Sequence, residues 1–367
     1  MAKLIQTEAL EEKVILVGVS TQDGDDAEDS IEELADLAAT AGAWVVGVLM
    51  QNRAKIHPGT YVGKGKLEEL KELVLAMDAT GIICDDELSP AQIKNMEEAL
   101  DTKVMDRTLL ILDIFADRAS TSEGKIQVEL AQLRYRMSRL TGLGKSLSRL
   151  GGGIGTRGPG EKKLETDRRH IERRVSQLKK ELDDVVRHRD MVRRRRDKAS
   201  KKVAAIVGYT NSGKSTLLNA LTNAGVLEED KLFATLDPTT RKLRLENGET
   251  ILLTDTVGFI RKLPHHLIEA FKSTLEEARY ADLILHVVDA SNPQREKQMH
   301  IVYETLQDLG IMDKPIITLF NKQDKAELEE MEPMRDFKSD KSLKISARTG
   351  EGLKELKALL EDELCRI

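Results

Sequence analysis

The chain contains 367 residues with a formal net charge of −6; 40% of the residues are hydrophobic, 33% are charged and only 3% are aromatic. This composition is typical of a soluble protein with two or three domains and aliphatic cores. The sequence has no run of 18 apolar residues, no secretory signal and only two cysteines, Cys84 and Cys365, which gives no support to an integral membrane segment, a disulfide framework or a zinc site. The lack of a long apolar segment or a secretory signal further predicts a cytoplasmic location.

Residues 1–118 alternate short β-branched runs with helical stretches. The predicted strands are at 14–19, 44–50 and 81–84, and the predicted helices are at 31–41, 66–77 and 90–100. This βαβα alternation predicts an α/β domain with a parallel sheet covered by helices, in which Cys84 is buried. A mostly buried helix at 106–118, with its arginines exposed, closes the domain.

Inside this domain, residues 61–66 hold two glycines and two lysines at the start of a predicted helix. Lysines in this position can bind the phosphate of an RNA backbone or of a nucleotide. A tight turn with solvated lysines accounts for the same residues, so both interpretations stay open.

Residues 119–200 predict an antiparallel coiled-coil helical hairpin. Two sets of positions recur at alternating steps of four and three residues, which is the 3.5-residue period of a coiled-coil seam. The seam positions are Ile126, Leu130, Leu133, Met137, Leu140, Gly144 and Leu147, then Ile171, Val175, Leu178, Leu182, Val185, Arg189 and Val192. Residues 151–160 lie between the two sets, and their six glycines and one proline predict a loop at the hairpin tip.

The same segment is strongly basic. Residues 125–202 contain 24 lysines and arginines and 10 aspartates and glutamates, a net charge of +14 that leaves −20 for the rest of the chain. Such a one-sided block favours contact with a polyanion, such as nucleic acid, over a merely solvated helix face. The arginine run 193–196 fits RNA contact and a solvated helix end equally well.

Residues 208–215 have the spacing G-x-x-x-x-G-K-S between an apolar run at 203–207 and a helical pattern at 216–221. This arrangement of strand, loop and helix predicts a P-loop. Its backbone N–H groups bind phosphate oxygens, Lys214 reaches the β- and γ-phosphates, and Ser215 ligates Mg²⁺. The predicted phosphate-binding residues are Gly208, Tyr209, Thr210, Asn211, Ser212, Gly213, Lys214 and Ser215.

Two further segments complete a predicted Mg²⁺ and γ-phosphate site. The hydroxyl-rich loop 232–240 is expected to supply a switch I threonine that completes the Mg²⁺ shell. After an apolar strand at 251–253, Asp255 would hold Mg²⁺ through water, and the Gly258 N–H would meet the γ-phosphate.

The tetrad 321–324 predicts which base is bound. The Asp324 carboxylate can accept hydrogen bonds from guanine N1–H and N2–H₂ together, whereas adenine presents an acceptor at N1. The Ala347 N–H, after a strand that ends near residue 345, can reach guanine O6. The sequence therefore predicts a guanine-nucleotide site.

These motifs resemble the HflX family of GTPases, within the Obg-HflX group of translation-factor-related proteins, and the resemblance covers nearly the whole chain. Residues 233–238 look like the switch I of this family, while 61–66 and 151–169 are similar to its signature sequences. The resemblance implies GTP hydrolysis with Mg²⁺, and it selects Thr235, rather than Thr239 or Thr240, as the switch I ligand. It also implies binding to the large (50S) ribosomal subunit and its rRNA, and separation of stalled or idle ribosomes into subunits.

The resulting site has Lys214, Thr235 and Gly258 as catalytic residues, with Ser215 and Thr235 as metal ligands. The other predicted nucleotide contacts are Phe233, Ala234, Leu236, Asp237, Asp255, Thr256, Val257, Asn321, Lys322, Gln323, Asp324, Ser346, Ala347 and Arg348.

The sequence also bears on the rate of hydrolysis. Phe259 stands where Ras-type GTPases have a glutamine that orients the attacking water, so we expect slow intrinsic turnover that the ribosome stimulates. Asn211 matches a position where cation-activated relatives have an asparagine that ligates K⁺. A side chain that merely caps its own loop is the alternative interpretation of Asn211.

Taken together, we expect an α/β protein with an N-terminal parallel α/β domain at 1–118, a basic helical hairpin at 119–200 and a C-terminal, Ras-like P-loop GTPase domain at 201–367. A monomer without DNA specificity is expected. Two other functions stay open: an RNA-binding or ribosome-assembly checkpoint factor with little turnover, and ATP-dependent RNA remodelling through Lys64 and Lys66. Some members of the resembled family have a further C-terminal domain, whose role the resemblance does not transfer to this chain.

Overall fold

The computed structural model describes residues 12–21, 27–147, 159–197, 202–222, 232–263, 277–325 and 334–365. The chain divides into two compact units, one formed by Met1–Ile114 with Gln132–Ser176 and the other by Phe115–Ala131 with Gln177–Ile367. Each unit has its own sheet, fully parallel in the first and mostly parallel in the second, and its own apolar core.

The first unit contains a four-stranded sheet flanked by helices. Its elements in chain order are β1 (Lys13–Ser20), α1 (Ala27–Thr40), β2 (Trp44–Asn52), α2 (Lys64–Ala76), β3 (Gly81–Cys84), α3 (Pro90–Leu100) and β4 (Lys103–Asp106). The strand order is β2-β1-β3-β4 and every pair is parallel, which confirms the predicted fold of this region. Six consecutive residues of β1 are buried, because a parallel sheet has helices on both faces.

The expectation that the arginines of helix α4 (Arg107–Arg118) are exposed is wrong for Arg107. Its side chain is buried, with 1% of its surface exposed, and it forms ion pairs. Its guanidinium lies 2.8 Å from Asp85 Oδ1, contacts Glu33 and donates to the Ser30 carbonyl. A buried arginine requires such partners, because an unpaired buried charge is strongly destabilising.

The glycine and lysine segment 61–66 is partly built into the core of this unit. Tyr61 and Val62 are fully buried, and the Tyr61 hydroxyl donates to Asp86 Oδ2 at 2.6 Å. At the start of α2, Lys66 Nζ lies 2.9 Å from Glu69 Oε1. These contacts favour the structural interpretation of the segment over an anion site.

Two long helices, α5 (Ser122–Leu147) and α6 (Pro159–Asp197), form in the region predicted as a hairpin. Of the predicted seam positions, Leu130, Val175 and Leu178 are buried. Arg189, late in α6, lies 3.0 Å from Glu123 in the first turn of α5, as expected for an antiparallel pair. The predicted glycine-rich tip at 151–160 lies almost wholly outside the described residues.

The second unit contains a six-stranded sheet. Its further elements are β5 (Val203–Gly208), α7 (Lys214–Thr222), β6 (Thr239–Arg244), β7 (Thr250–Asp255), β8 (Leu283–Asp289), α8 (Arg295–Asp308), β9 (Ile316–Asn321), β10 (Lys341–Lys344) and α9 (Leu353–Cys365). The strand order is β10-β9-β8-β5-β7-β6, with only β6 antiparallel to its neighbour.

The carboxyl ends of β5, β7 and β9 therefore meet at one edge of this sheet, where open α/β folds bind ligands. Within the described ranges, no helix has a stretch both long enough and apolar enough to cross a membrane.

Candidate nucleotide-binding site

The loop between β5 and α7 lines a cleft at this sheet edge, and the backbone there is tightly packed. Gly213 has φ +92°, and a Cβ at this position would lie 2.3 Å from Asn321 Nδ2. Only glycine therefore fits between the loop and the end of β9. The residues that line the cleft are Thr210, Asn211, Gly213, Lys214, Ser215, Thr216, Phe233, Ala234, Thr235, Thr256 and Gly258. Thr216, which the sequence motifs did not include, follows Ser215 in the first turn of α7.

Lys214 is the buried cation of this cleft. Its Nζ donates to the Tyr209 carbonyl at 2.7 Å, and burial lowers its pKa to about 8 despite the opposing effect of the Asp255 carboxylate. A Cβ on Gly258 would lie 2.9 Å from Lys214 Nζ and 2.8 Å from Thr210 Cα. The backbone of Gly258 thus approaches the lysine closely only because the residue is glycine.

Three polar side chains converge beside Lys214 as a candidate Mg²⁺ site. Ser215 Oγ lies 2.8 Å from Thr235 Oγ1 and donates to Asp255 Oδ2 at 2.7 Å. Asp255 Oδ1 is buried and has no hydrogen-bond partner among the described residues. Burial raises the pKa of Asp255, although Lys214, Ser215 and Thr235 act in the opposite direction. Two hydroxyls and an unsatisfied buried carboxylate oxygen are hard oxygen donors that fit Mg²⁺.

The switch I loop 232–238 is held by its own side chains. Leu232, Phe233 and Leu236 are buried, and Phe233 has φ +55°. The Phe233 ring packs edge-to-face on Phe115, with ring centroids 4.6 Å apart. Phe233, Ala234 and Thr235 line the cleft, whereas Leu236 is buried and does not line it.

Asp237 binds elsewhere in the same unit. Its carboxylate accepts hydrogen bonds from Ser120 and Thr121, just before α5. Burial would raise the pKa of Asp237, but these hydrogen bonds lower it below the ordinary value. No sequence motif pointed to Ser120 or Thr121, because short polar residues before a helix are common.

Phe259, the residue after Gly258, does not line the cleft. Phe259 is 2% exposed, its N–H donates to the Gly208 carbonyl at 3.1 Å, and its carbonyl accepts from Thr210 N at 2.8 Å. Thr256 and Val257 are also buried, and the Thr256 hydroxyl donates to the Ile206 carbonyl. The backbone of this segment therefore ties β7 to the P-loop, and the ring of Phe259 cannot orient a water by hydrogen bonding.

The predicted base-reading residues assemble next to the P-loop. Asn321 Nδ2 donates to the Ser212 carbonyl, and Asn321 Oδ1 accepts from Ala347 N, both at 2.9 Å. Asp324 is exposed and its Oδ1 accepts from Ser346 Oγ at 2.7 Å, which orients the carboxylate. Lys322 Nζ lies 2.7 Å from Asp289 Oδ2.

The other predicted residues of this region differ in their exposure and contacts. Gln323 Nε2 donates to the Phe320 carbonyl, and Arg348 is exposed. The Ala347 N–H already has Asn321 as its acceptor, so a guanine O6 would share this donor.

Three family descriptions match the chain in consecutive segments. Residues 28–116 match the family "GTP-binding GTPase N-terminal", residues 118–196 match "GTP-binding GTPase Middle Region", and residues 203–322 match "50S ribosome-binding GTPase".

Relatives named "GTPase HflX" match the chain over most of its length. The relative from Lacrimispora saccharolytica is 68% identical over 361 residues, which cover 98% of this chain and 85% of the relative. The relative from Escherichia coli is 44% identical over 357 residues, covering 96% of this chain and 83% of the relative.

A solved structure described as "crystal structure of SsGBP and GDP complex" has a similar fold. It matches with a TM-score of 0.52 and 25% identity, and the match covers 96% of this chain and 99% of that one.

Proposed function

This chain belongs to the HflX family of GTPases, and on that basis we propose that its GTP cycle controls attachment to the large ribosomal subunit and the separation of stalled or idle ribosomes. The observation that supports this proposal most directly is the joining of a candidate guanine-nucleotide site to a strongly basic helical segment in one chain. We further propose that the protein acts as a monomer in the cytoplasm.

The proposed nucleotide chemistry follows from the positions of the side chains. Ser215 and Thr235 would ligate Mg²⁺, with Asp255 holding the ion through water. When bound, Mg²⁺ neutralises charge on the β- and γ-phosphate oxygens. The buried Lys214 ammonium would stabilise the charge that develops on the β–γ bridge in the transition state. Gly258 would donate its N–H to the γ-phosphate.

Slow intrinsic hydrolysis is part of the proposal, because the buried ring of Phe259 leaves water orientation to another group. The large subunit would supply or order that group, which makes hydrolysis a response to binding. Coordination of K⁺ by Asn211 would be a second source of positive charge; Asn211 lies in the cleft with φ +59°.

We propose that α6 contacts ribosomal RNA. Arg173, Lys179 and Lys180 are exposed on this helix and have no ion pair within the described chain, whereas Arg168 pairs with Glu172 along the same helix. Exposed cations without partners are available to bind phosphates and would make the affinity depend on salt. The proposed domain boundaries, 1–118, 119–200 and 201–367, are supported by the three consecutive family matches.

Sedimentation of intact ribosomes with the full chain tests this proposal. Ribosomes are incubated with protein and GTP, a non-hydrolysable GTP analogue, or GDP, and the gradient fractions are assayed for protein and for free subunits. We expect protein on the large subunit and released subunits with GTP or its analogue, and neither with GDP. Binding without subunit release would instead favour the checkpoint function, and a GTPase that neither binds nor splits ribosomes would refute the proposal.

A further inference from the structure

The switch I loop is fastened to a segment outside the nucleotide motifs. Three donors reach Asp237 Oδ2: Ser120 N at 2.9 Å, Ser120 Oγ at 2.7 Å and Thr121 N at 2.8 Å. Thr121 Oγ1 donates to Asp237 Oδ1 at 2.5 Å. Hydrogen bonds to a carboxylate are stronger than those between neutral groups, so four of them strongly restrict the position of Asp237.

The start of α5 is shaped to receive this carboxylate. Thr121 directly precedes the helix, and its Oγ1 accepts from Gly124 N at 3.0 Å, which makes it the N-cap. A Cβ on Gly124 would lie only 2.4 Å from Asp237 Oδ1. The absence of a side chain at position 124 therefore leaves the space that Asp237 occupies.

A second contact fastens the same loop four residues earlier. Phe233, two residues before Thr235, packs its ring on Phe115 of α4. Asp237, two residues after Thr235, is held by the hydrogen bonds described above. Thr235 thus lies between two attachments to the segment 115–124. Its Oγ1 lies 2.8 Å from Ser215 Oγ.

We propose that Asp237 is a positioning residue for GTP hydrolysis: held by Ser120 and Thr121, it fixes the loop so that the Thr235 hydroxyl stays beside Ser215. This inference rests on the proposed role of Thr235 as an Mg²⁺ ligand. The carboxylate itself does not line the nucleotide cleft.

The test measures single-turnover GTP hydrolysis as a function of Mg²⁺ concentration, together with GTP and GDP affinities, in the full chain. Asp237→Asn and the pair Ser120→Ala, Thr121→Ala remove the carboxylate charge and the two hydroxyl donors. Gly124→Ala removes no hydrogen-bonding group and only fills the space that Asp237 occupies. The matched control is Asp117→Asn, an exposed carboxylate in α4.

We expect Asp237→Asn and Gly124→Ala each to lower the rate about tenfold and to raise the Mg²⁺ concentration for half-maximal rate, as the loss of a charged hydrogen bond predicts. GDP affinity should stay within about twofold of the wild-type value, because the switch I threonine senses the γ-phosphate. A merely structural defect would weaken both nucleotides together and lower the melting temperature.

Thr235→Ala separates this inference from the proposed ligand assignment. We expect Thr235→Ala to raise the Mg²⁺ concentration needed for half-maximal rate. Adding Asp237→Asn to Thr235→Ala should then change the rate very little, because the effects of residues that act through one another are not additive. If Thr235→Ala has its effect but Asp237→Asn and Gly124→Ala have none, the positioning role is wrong and the ligand assignment stands. If Thr235→Ala leaves the Mg²⁺ dependence unchanged, or the two losses add fully, the inference is overturned.

Discussion

Guanine selectivity can be tested at one carboxylate, because Asp324 is the only predicted acceptor for two guanine donors. The Ser346 hydroxyl holds Asp324 Oδ1 at 2.7 Å and so orients the carboxylate, whose side chain is exposed. In Asp324→Asn, an amide oxygen that accepts from Ser346 leaves an NH₂ group toward the base. That group cannot accept from guanine N1–H or N2–H₂, whereas it can donate to the 2-oxo group of xanthine.

The magnitude follows from the bonds that are lost. A hydrogen bond to a charged group contributes about 1.5–3 kcal/mol. Because the side chain is exposed, we take a total loss of about 2–3 kcal/mol, which corresponds to roughly 30- to 150-fold weaker GTP binding. Asp324→Asn should bind xanthosine triphosphate more tightly than the wild-type chain does.

The assay is a competition titration of a fluorescent guanine nucleotide with GTP and with xanthosine triphosphate. Ser346→Ala serves as the matched control: it removes the bond that orients Asp324 but keeps the carboxylate, so GTP affinity should fall less and xanthosine triphosphate should gain nothing. Unchanged GTP affinity in Asp324→Asn would refute the assignment of the base-reading tetrad.

Three other outcomes are expected. Arg157→Glu should weaken large-subunit binding and reduce its salt dependence without changing GTP affinity, measured by sedimentation over a salt series; wild-type affinity and slope would contradict the predicted RNA contact at the hairpin tip. Turnover should be faster in K⁺ than in Na⁺, and Asn211→Ala should abolish this difference in a phosphate-release assay; equal wild-type rates would exclude the ion. Burial lowers the pKa of His286, so below about pH 6.5 the unfolded chain takes up a proton at this residue that the folded chain does not. The free energy of unfolding should therefore decrease as the pH is lowered below this value, by up to about 1.4 kcal/mol per pH unit. Asp336, 3.8 Å from His286, has a lowered pKa and titrates below this window, so urea unfolding of His286→Gln should lack the slope if the assignment to His286 is right.

The sequence predicted those parts of the protein that depend on local patterns. The P-loop is a contiguous spacing with its own strand and helix, and the apolar runs of β1, β5 and β8 are long enough to identify buried parallel strands. The order of the later motifs was also sufficient to predict which residues gather at one sheet edge.

Contacts between polar residues far apart in the chain were not predictable in this way. Arg107 was expected to be exposed because its acidic partners, Glu33 and Asp85, belong to other elements. The bond from Ser120 to Asp237 joins residues 117 positions apart. No periodicity marks such pairs, since each partner alone is an ordinary surface residue.

The backbone of Phe233 has a consequence for how readily the switch I loop changes state. A residue with a Cβ at φ +55° carries a cost on the order of 1–2 kcal/mol relative to the right-handed region. Its edge-to-face contact with Phe115 contributes about 0.5–1.5 kcal/mol, which nearly offsets that cost. The ring contact therefore stabilises an unfavourable backbone conformation. If Phe115 moves away, that conformation is no longer compensated, and Phe233 lowers its free energy by returning to the right-handed region. Opening of the loop therefore depends on this ring contact as well as on the hydrogen bonds of Asp237, and Phe115 is not among the residues that line the cleft.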